Sequence, residues 1–158
     1  MVRRADARDV TRLTELLDQV CMVHHRLRPD LFSAHVPKYS PEELTRILSD
    51  PDRPVFVYED FDGSVLGHAF CEIIRRSPNR VLKDVLTLYI DDICVDEAAR
   101  GSGVGRALFG AVREFAEELG CHNVTLNVWS GNDAALAFYE KMGFVPQKTG
   151  MEIVLDKQ

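Results

Sequence analysis

Arg100, Gly101, Ser102, Gly103, Val104, Gly105 and Arg106 follow an apolar, strand-like run and open directly into an amphipathic helical pattern. Residues of these types at a helix start suit an anion. The first N–H groups of a helix have no partner, its dipole places partial positive charge there, and glycines remove the Cβ atoms that would keep a phosphate away. The stretch predicts a phosphate-bearing ligand held by main chain, with Arg100 or Arg106 assisting. No phasing of the three glycines supplies GxGxxG, and no Gly-Lys-Ser/Thr completes a P-loop, so neither nucleotide fingerprint applies. A glycine turn that merely lets strand and helix pack closely is the plain alternative. Just upstream, Asp91 and Asp92 are neighbours in the strand pattern. Their side chains point to opposite faces unless a bulge intervenes.

Helices and strands must position these groups. Val2 to Ala5 reads as a short strand. Val10, Leu13, Leu17 and Val20 form one helical stripe, capped by Asp6 or Asp9 and running to about His25, before Arg28-Pro29. Ser40-Pro41-Glu42-Glu43 carries a capping box and starts a helix that ends near Ser49. Pro54 to Glu59 and Val65 to Ile74 make a hairpin about Asp62-Gly63, and Arg75 to Arg80 reads as a polar loop. Val85 to Val95 is the central strand. A long helix runs from Val104 to Leu119 with Gly120 beyond it, followed by a strand from Asn123 to Trp129. Asn132-Asp133 caps a helix that stops at Gly143, and Phe144-Val145 and Met151 to Leu155 read as closing strands. The pattern predicts a single α+β domain, residues 1–158, with one mixed sheet.

Composition narrows the class. The chain has 158 residues, room for one full core, and its formal charge of −6 argues against a nucleic-acid partner. That charge is compatible with a cationic substrate. No apolar run approaches the roughly 18 residues needed to span a bilayer, and MVRRADARDVTRL lacks the apolar stretch of a secretory signal. A cytoplasmic protein with no membrane partner is the expectation. Cys21, Cys71, Cys94 and Cys121 show no CxxC pairing and read as reduced core cysteines. The histidine spacing suggests no metal set.

A second segment, Asn132-Asp133-Ala134-Ala135-Leu136-Ala137-Phe138-Tyr139-Glu140-Lys141-Met142-Gly143-Phe144, follows the next strand by one strand–helix unit. Together with DDICV and RGSGVG it resembles the GNAT superfamily of N-acetyltransferases, over about residues 55 to 155. Arg100, Gly103 and Gly105 match the family pattern [QR]xxGx[GA]. The resemblance implies a GNAT fold whose mixed central sheet is splayed at its fourth and fifth strands and flanked by helices. It implies acetyl-CoA as the co-substrate, with its pyrophosphate at Arg100 to Arg106. The main chain of Ile93, Cys94 and Val95 would bond the pantetheine arm like an added strand, helped by Asn132. A bulge near Asp91-Asp92 would open the splay. Lys141 reads equally well as a phosphate contact or as a solvated helix lysine.

Acetyl transfer to an amine needs a neutral amine and a proton for the departing thiolate. An amine with a pKa of about 10.4 is mostly protonated at neutral pH, so a carboxylate, directly or through water, can accept its proton. Carried over by motif, Asp91 is the candidate for amine binding or proton acceptance. Asp92 reads as a hydrogen-bonded structural carboxylate, and Glu72 is the reserve base. Tyr139 is the candidate acid. Its phenol, with an ordinary pKa of about 10 against roughly 8.5 for a thiol, stays protonated and can serve the leaving thiolate. The loop with His24, His25, Arg26, Phe32, His35 and Tyr39 lies where family members build the acceptor wall. A small, polyamine-like amine is the favoured acceptor. A protein N-terminus or lysine, a longer acyl group, and a non-catalytic CoA-binding module stay open, as does a homodimer.

Overall fold

Ser40 shows how directly local chemistry sets the elements. Its hydroxyl accepts the Glu43 N–H, Glu43 reaches back to the Ser40 N–H, and Pro41 opens the helix. The computed structural model describes residues 1–75 and 80–155. Its strands are β1 (Val2–Arg4), β2 (Val55–Glu59), β3 (Val65–Arg75), β4 (Leu86–Val95) and β5 (Asn123–Thr125). Its helices are α1 (Val10–Leu27), α2 (Pro41–Leu48), α3 (Val104–Glu118) and α4 (Asp133–Lys141). The polar loop expected at Pro78-Asn79 lies outside the described residues.

The five strands lie in the order β1-β2-β3-β4-β5. All neighbours are antiparallel except β4 and β5, which run parallel. The long β3–β4 ladder slips once: Phe70 faces Asp92, and Cys71 faces Ile90. Asp91 is therefore the extra residue of a β-bulge, at the place expected from the acidic pair.

Each sheet face carries its own core. On one face Ala69, Cys71, Leu88 and Ile90 pack with Val104, Leu108 and Val112 of α3. On the other, Val55, Val57, Val65 and Phe70 pack with Leu13, Leu16 and Leu17 of α1 and with Leu44 and Ile47 of α2. The apolar stripes read from the sequence are thus the faces that the helices bury.

Three expected strands differ. The strand expected over Asn123 to Trp129 pairs only through Thr125, because the parallel ladder with β4 stops at Tyr89↔Thr125. The closing strands at Phe144-Val145 and Met151 to Leu155 do not form: no ladder reaches them, and residues 145–155 are exposed. Their β-branched composition is strand-like, but among the described residues neither run pairs with a neighbouring strand.

Candidate active site

The glycine-rich turn is built as an open cradle. Asp96 accepts the Ala98 N–H at 2.8 Å to start a short 3-10 turn at Glu97–Ala99, and is itself held by the Arg12 guanidinium. Gly101 (φ +82°) and Gly103 (φ +90°) are left-handed, and a Cβ on either would meet no heavy atom within 4 Å. The space above the turn is free. Gly103 caps α3 with no side-chain bond, which leaves the first N–H groups from Val104 onward available. Gly105 serves packing instead, since a Cβ there would lie 3.2 Å from the Phe138 ring. Ser102 turns its hydroxyl back to the Ala99 carbonyl at 2.5 Å. The half-exposed Arg100 donates through Nε to the Val95 carbonyl at 3.4 Å, and Arg106 is exposed.

Beside the cradle the sheet opens. Past Tyr89 the main chain of β4, including Ile93, Cys94 and Val95, pairs among the described strands with β3 alone, so no strand covers its edge toward β5. Asn127 reaches across the opening from its amide to the Tyr89 hydroxyl at 3.2 Å. Cys94 is buried, its thiol aimed at the Leu16 carbonyl at 3.7 Å, and burial pushes that thiol up to about 12. At this strand, therefore, Cys94 can offer main chain and no thiolate.

The bulge decides where the acids point. Both Asp91 and Asp92 lie on the α1/α2 face, because the extra residue cancels the alternation that would have parted them. Asp91 receives the Lys38 ammonium at 2.7 Å and the Tyr39 hydroxyl at 2.6 Å; Arg53 in turn donates to the Tyr39 oxygen at 3.0 Å. Burial is the largest influence and works against the Lys38 charge, but the bond to Asp91 together with the charges of Asp91 and Asp92 outweighs it and holds the ammonium pKa up. Asp92 lies deeper and accepts the His68 Nε2–H at 2.7 Å. That bond leaves His68 Nδ1 as a fully buried nitrogen without a partner. Glu72 is exposed on β3.

Tyr139 stands on α4 with its ring 5.4 Å from Phe138 and 5.7 Å from Phe144. Burial, joined by the nearby Asp92 and Cys94, pushes its phenol above the ordinary value, so it carries its proton at neutral pH. Asn132 caps α4 through Oδ1, which accepts the Ala135 N–H at 3.3 Å. Lys141 is exposed at the last turn of the same helix.

Lys38 and His68 are groups that sequence reasoning missed, whereas Tyr39 is expected there only as a residue of the acceptor-wall loop. Lys38 and Tyr39 close over Asp91 from a segment 52 residues or more away, and only the tertiary fold shows that pairing. His68 did leave a signal: it shares the inward face of β3 with Phe70, and an imidazole at such a position needs a polar partner. In the loop expected to form an acceptor wall, His24 packs against Phe32 and Phe32 against Trp129, with ring centroids 5.1 Å and 5.4 Å apart and Arg28 over the indole. Burial lowers the His24 pKa despite the nearby Asp92, so this imidazole is neutral at pH 7. His25 bonds the Phe32 carbonyl and His35 bonds Asp18, which ties both to the loop. Among the described residues, no three His, Cys, Asp or Glu side chains gather as a metal site. No helix among them is long and apolar enough to cross a membrane.

A separate cleft of about 800 Å³ is lined by Arg3, Arg12, Glu59 and Asp96. Its charges are already paired, Arg3 with Asp9 and Glu59, and Arg12 with Asp96. It contains neither the acidic pair nor Tyr139.

Comparison with known proteins gives the same picture. Residues 21–144 match the model of the acetyltransferase (GNAT) family. A glucosamine 6-phosphate N-acetyltransferase from Trypanosoma brucei brucei is 36% identical over 67 residues, 42% of this chain and 44% of that protein. An L-ornithine N5-acetyltransferase from Arabidopsis thaliana is 30% identical over 119 residues, 73% of this chain and 51% of that protein. The chain spans about half the length of these curated relatives. The crystal structure of a mutant of the BH1408 protein from Bacillus halodurans superposes with a TM-score of 0.94 at 28% identity, covering 98% of this chain and 99% of that one.

Proposed function

Because this chain belongs to the acetyltransferase (GNAT) family, we propose that it transfers an acetyl group from acetyl-CoA to a primary amine. The observation that carries this reading is the bulge at Asp91, which puts two carboxylates on one sheet face beside an unpaired stretch of β4. The residues fit the co-substrate. The Gly101–Gly103 cradle is open, the α3 N-terminus carries no cap, and the free β4 edge can receive amides as an added strand. Residues 1–158 act as one catalytic unit. The N–H groups from Gly101 to Arg106 receive the pyrophosphate, the main chain of Ile93 to Val95 holds the pantetheine arm, and Asn132 steadies it. The bound thioester supplies an activated acetyl carbon.

Asp91 binds the acceptor. Lys38 already sets an alkylammonium 2.7 Å from its Oδ1, the same chemical group that a primary amine would bring. As nitrogen bonds to the carbonyl carbon, Asp91 takes the amine proton, directly or through water, with the neutral His24 imidazole and Asp92 beside it. As the carbon–sulfur bond breaks, Tyr139 gives its phenol proton to the sulfur. The acceptor is a small cationic amine. The acidic pair and the net charge of −6 favour it, and the two relatives named above carry small amino compounds in their names.

Calorimetry with acetyl-CoA on wild type and Gly103→Glu tests the cradle. Wild type should bind, and the variant should bind at least about tenfold more weakly, since it adds a strained, negative side chain where phosphate sits. No heat from wild type would sink the co-substrate assignment. Thiol release over polyamines, aminoglycosides, amino acids and peptides then reads the acceptor. Release with peptides alone moves the reading to protein acetylation, and binding without any release leaves a CoA-binding module.

A further inference from the structure

Lys38 occupies the place where an acceptor amine would meet Asp91. Its ammonium donates to Asp91 Oδ1 at 2.7 Å, while the Tyr39 hydroxyl donates to Oδ2 at 2.6 Å. The Lys38 side chain is 48% exposed. An ion pair so open to water adds little stability, because solvent screens it and the long lysine stem loses rotamer freedom. The position is nonetheless built. Tyr39 packs on Phe70 at 5.7 Å, Arg53 lies over its ring, and Ser40 caps α2 immediately afterwards. The main chain that carries Lys38 is thus fixed on one side, and its amine is directed at the acid.

The co-substrate would arrive at the same spot. A pantetheine arm that starts at the Gly101–Gly103 cradle and runs back along β4, past Val95 and Ile93, ends beside Asp92 and Asp91. Asp92 acts electrostatically on both Lys38 and Tyr139, so amine, carboxylates and phenol belong to one cluster. We propose that Lys38 is itself an acetyl acceptor, which the chain modifies when no outside amine is present; this rests on acetyl transfer at Asp91 and Tyr139. Lys38 gives one proton to Asp91 and becomes the neutral amine. Its lone pair forms the bond to the acetyl carbon, the carbon–sulfur bond breaks, and the sulfur takes the Tyr139 proton. One further proton leaves the attacking nitrogen and returns through water to the Tyr139 oxygen. The products are an acetamide at Lys38, CoA, and the proton that Asp91 releases to solvent. The new amide carries no charge and no longer pairs with Asp91, which opens that carboxylate to an outside amine.

The full chain is incubated with acetyl-CoA and no amine, and its lysine-containing peptides are followed by mass spectrometry. Lys38 should gain one acetyl group, at least about a hundredfold faster than the exposed Lys141, the lower range for a positioned acid or base. Unassisted acetylation favours Lys141 instead, because the ion pair keeps Lys38 protonated. The rate constant should not depend on protein concentration. Asp91→Asn frees the Lys38 amine, yet it should lose most of the Lys38 labelling; faster labelling there overturns the proposal. Equal labelling of Lys38 and Lys141 in wild type overturns it as well, with no variant required to fold. So does a rate that rises with protein concentration. Thiol release with outside amines while Lys38 stays unmodified overturns self-acetylation and leaves acetyl transfer standing. Wild type that gives no heat with acetyl-CoA overturns both.

Discussion

The two faces of the sheet are built from the same strands yet differ in kind. The core of the α3 face is apolar, with Ala69, Cys71, Leu88 and Ile90 against Val104, Leu108 and Val112, and the Arg4 guanidinium stacks on Phe56 and Phe115 at its margin. The α1/α2 face has an apolar part of similar make-up, but it also holds the buried His68, the Asp91–Asp92 pair, Lys38 and Tyr39. One face supplies stability. The other gives up some burial to polar groups, each of which must be partnered to be tolerated there. The bulge divides these duties, because one inserted residue turns Asp91 to the polar face while Ile90 stays on the apolar one.

Substitutions on either side can break this division. The largest effect is expected at Tyr139→Phe, with turnover falling by about a hundredfold, the lower range for a lost general acid, and little change in acetyl-CoA affinity. Unchanged turnover would remove its acid role. On the apolar face, Leu108→Ala should cost about 3 kcal/mol of unfolding free energy in a denaturant titration, with turnover retained at temperatures where the variant is folded. A selective loss of turnover there would show that the faces are not separable. Asp91→Asn is the converse. The amine KM should rise about tenfold, or the pH profile should shift, while the thermal midpoint moves little, since Asp91 lies at the rim of the fold beside the partly exposed Lys38.

The smallest effect concerns the thiols of both faces. Burial raises Cys71 and Cys94 from 9.0 to about 12. In the unfolded chain they ionise near the ordinary value, so their contribution is intact below about pH 8.5 and is lost as pH climbs toward 12. The denaturation midpoint should fall across that window, less steeply in Cys71→Ala than in wild type. Parallel curves would mean that other groups cause the alkaline loss.

Much of this was readable because it is local. Ser40-Pro41-Glu42-Glu43 caps its helix within four residues, Asn132 caps α4, and Gly101 and Gly103 take the left-handed geometry that only their neighbours require. The apolar stripes of α1 and α3 follow from a period of 3.6 residues and need no knowledge of what covers them. The length of β5 was not readable in the same way. Leu126 to Trp129 has strand composition, yet the partner strand β4 turns away at the bulge and the ladder ends. Met151 to Leu155 likewise has strand composition, but among the described residues it pairs with no strand.

The order of the sequence alone determined the cradle, the caps, the hydrophobic stripes and the place where an acidic pair interrupts a strand. All of these depend on residues within a turn or two of one another, where backbone sterics and hydrogen bonds act without help. Only the tertiary structure decided that Asp91 and Asp92 share a face, that Lys38 and Tyr39 close over one while His68 holds the other, and that the last apolar run stands free. Those outcomes depend on register between distant strands, and a shift of one residue reverses which side chain meets which partner.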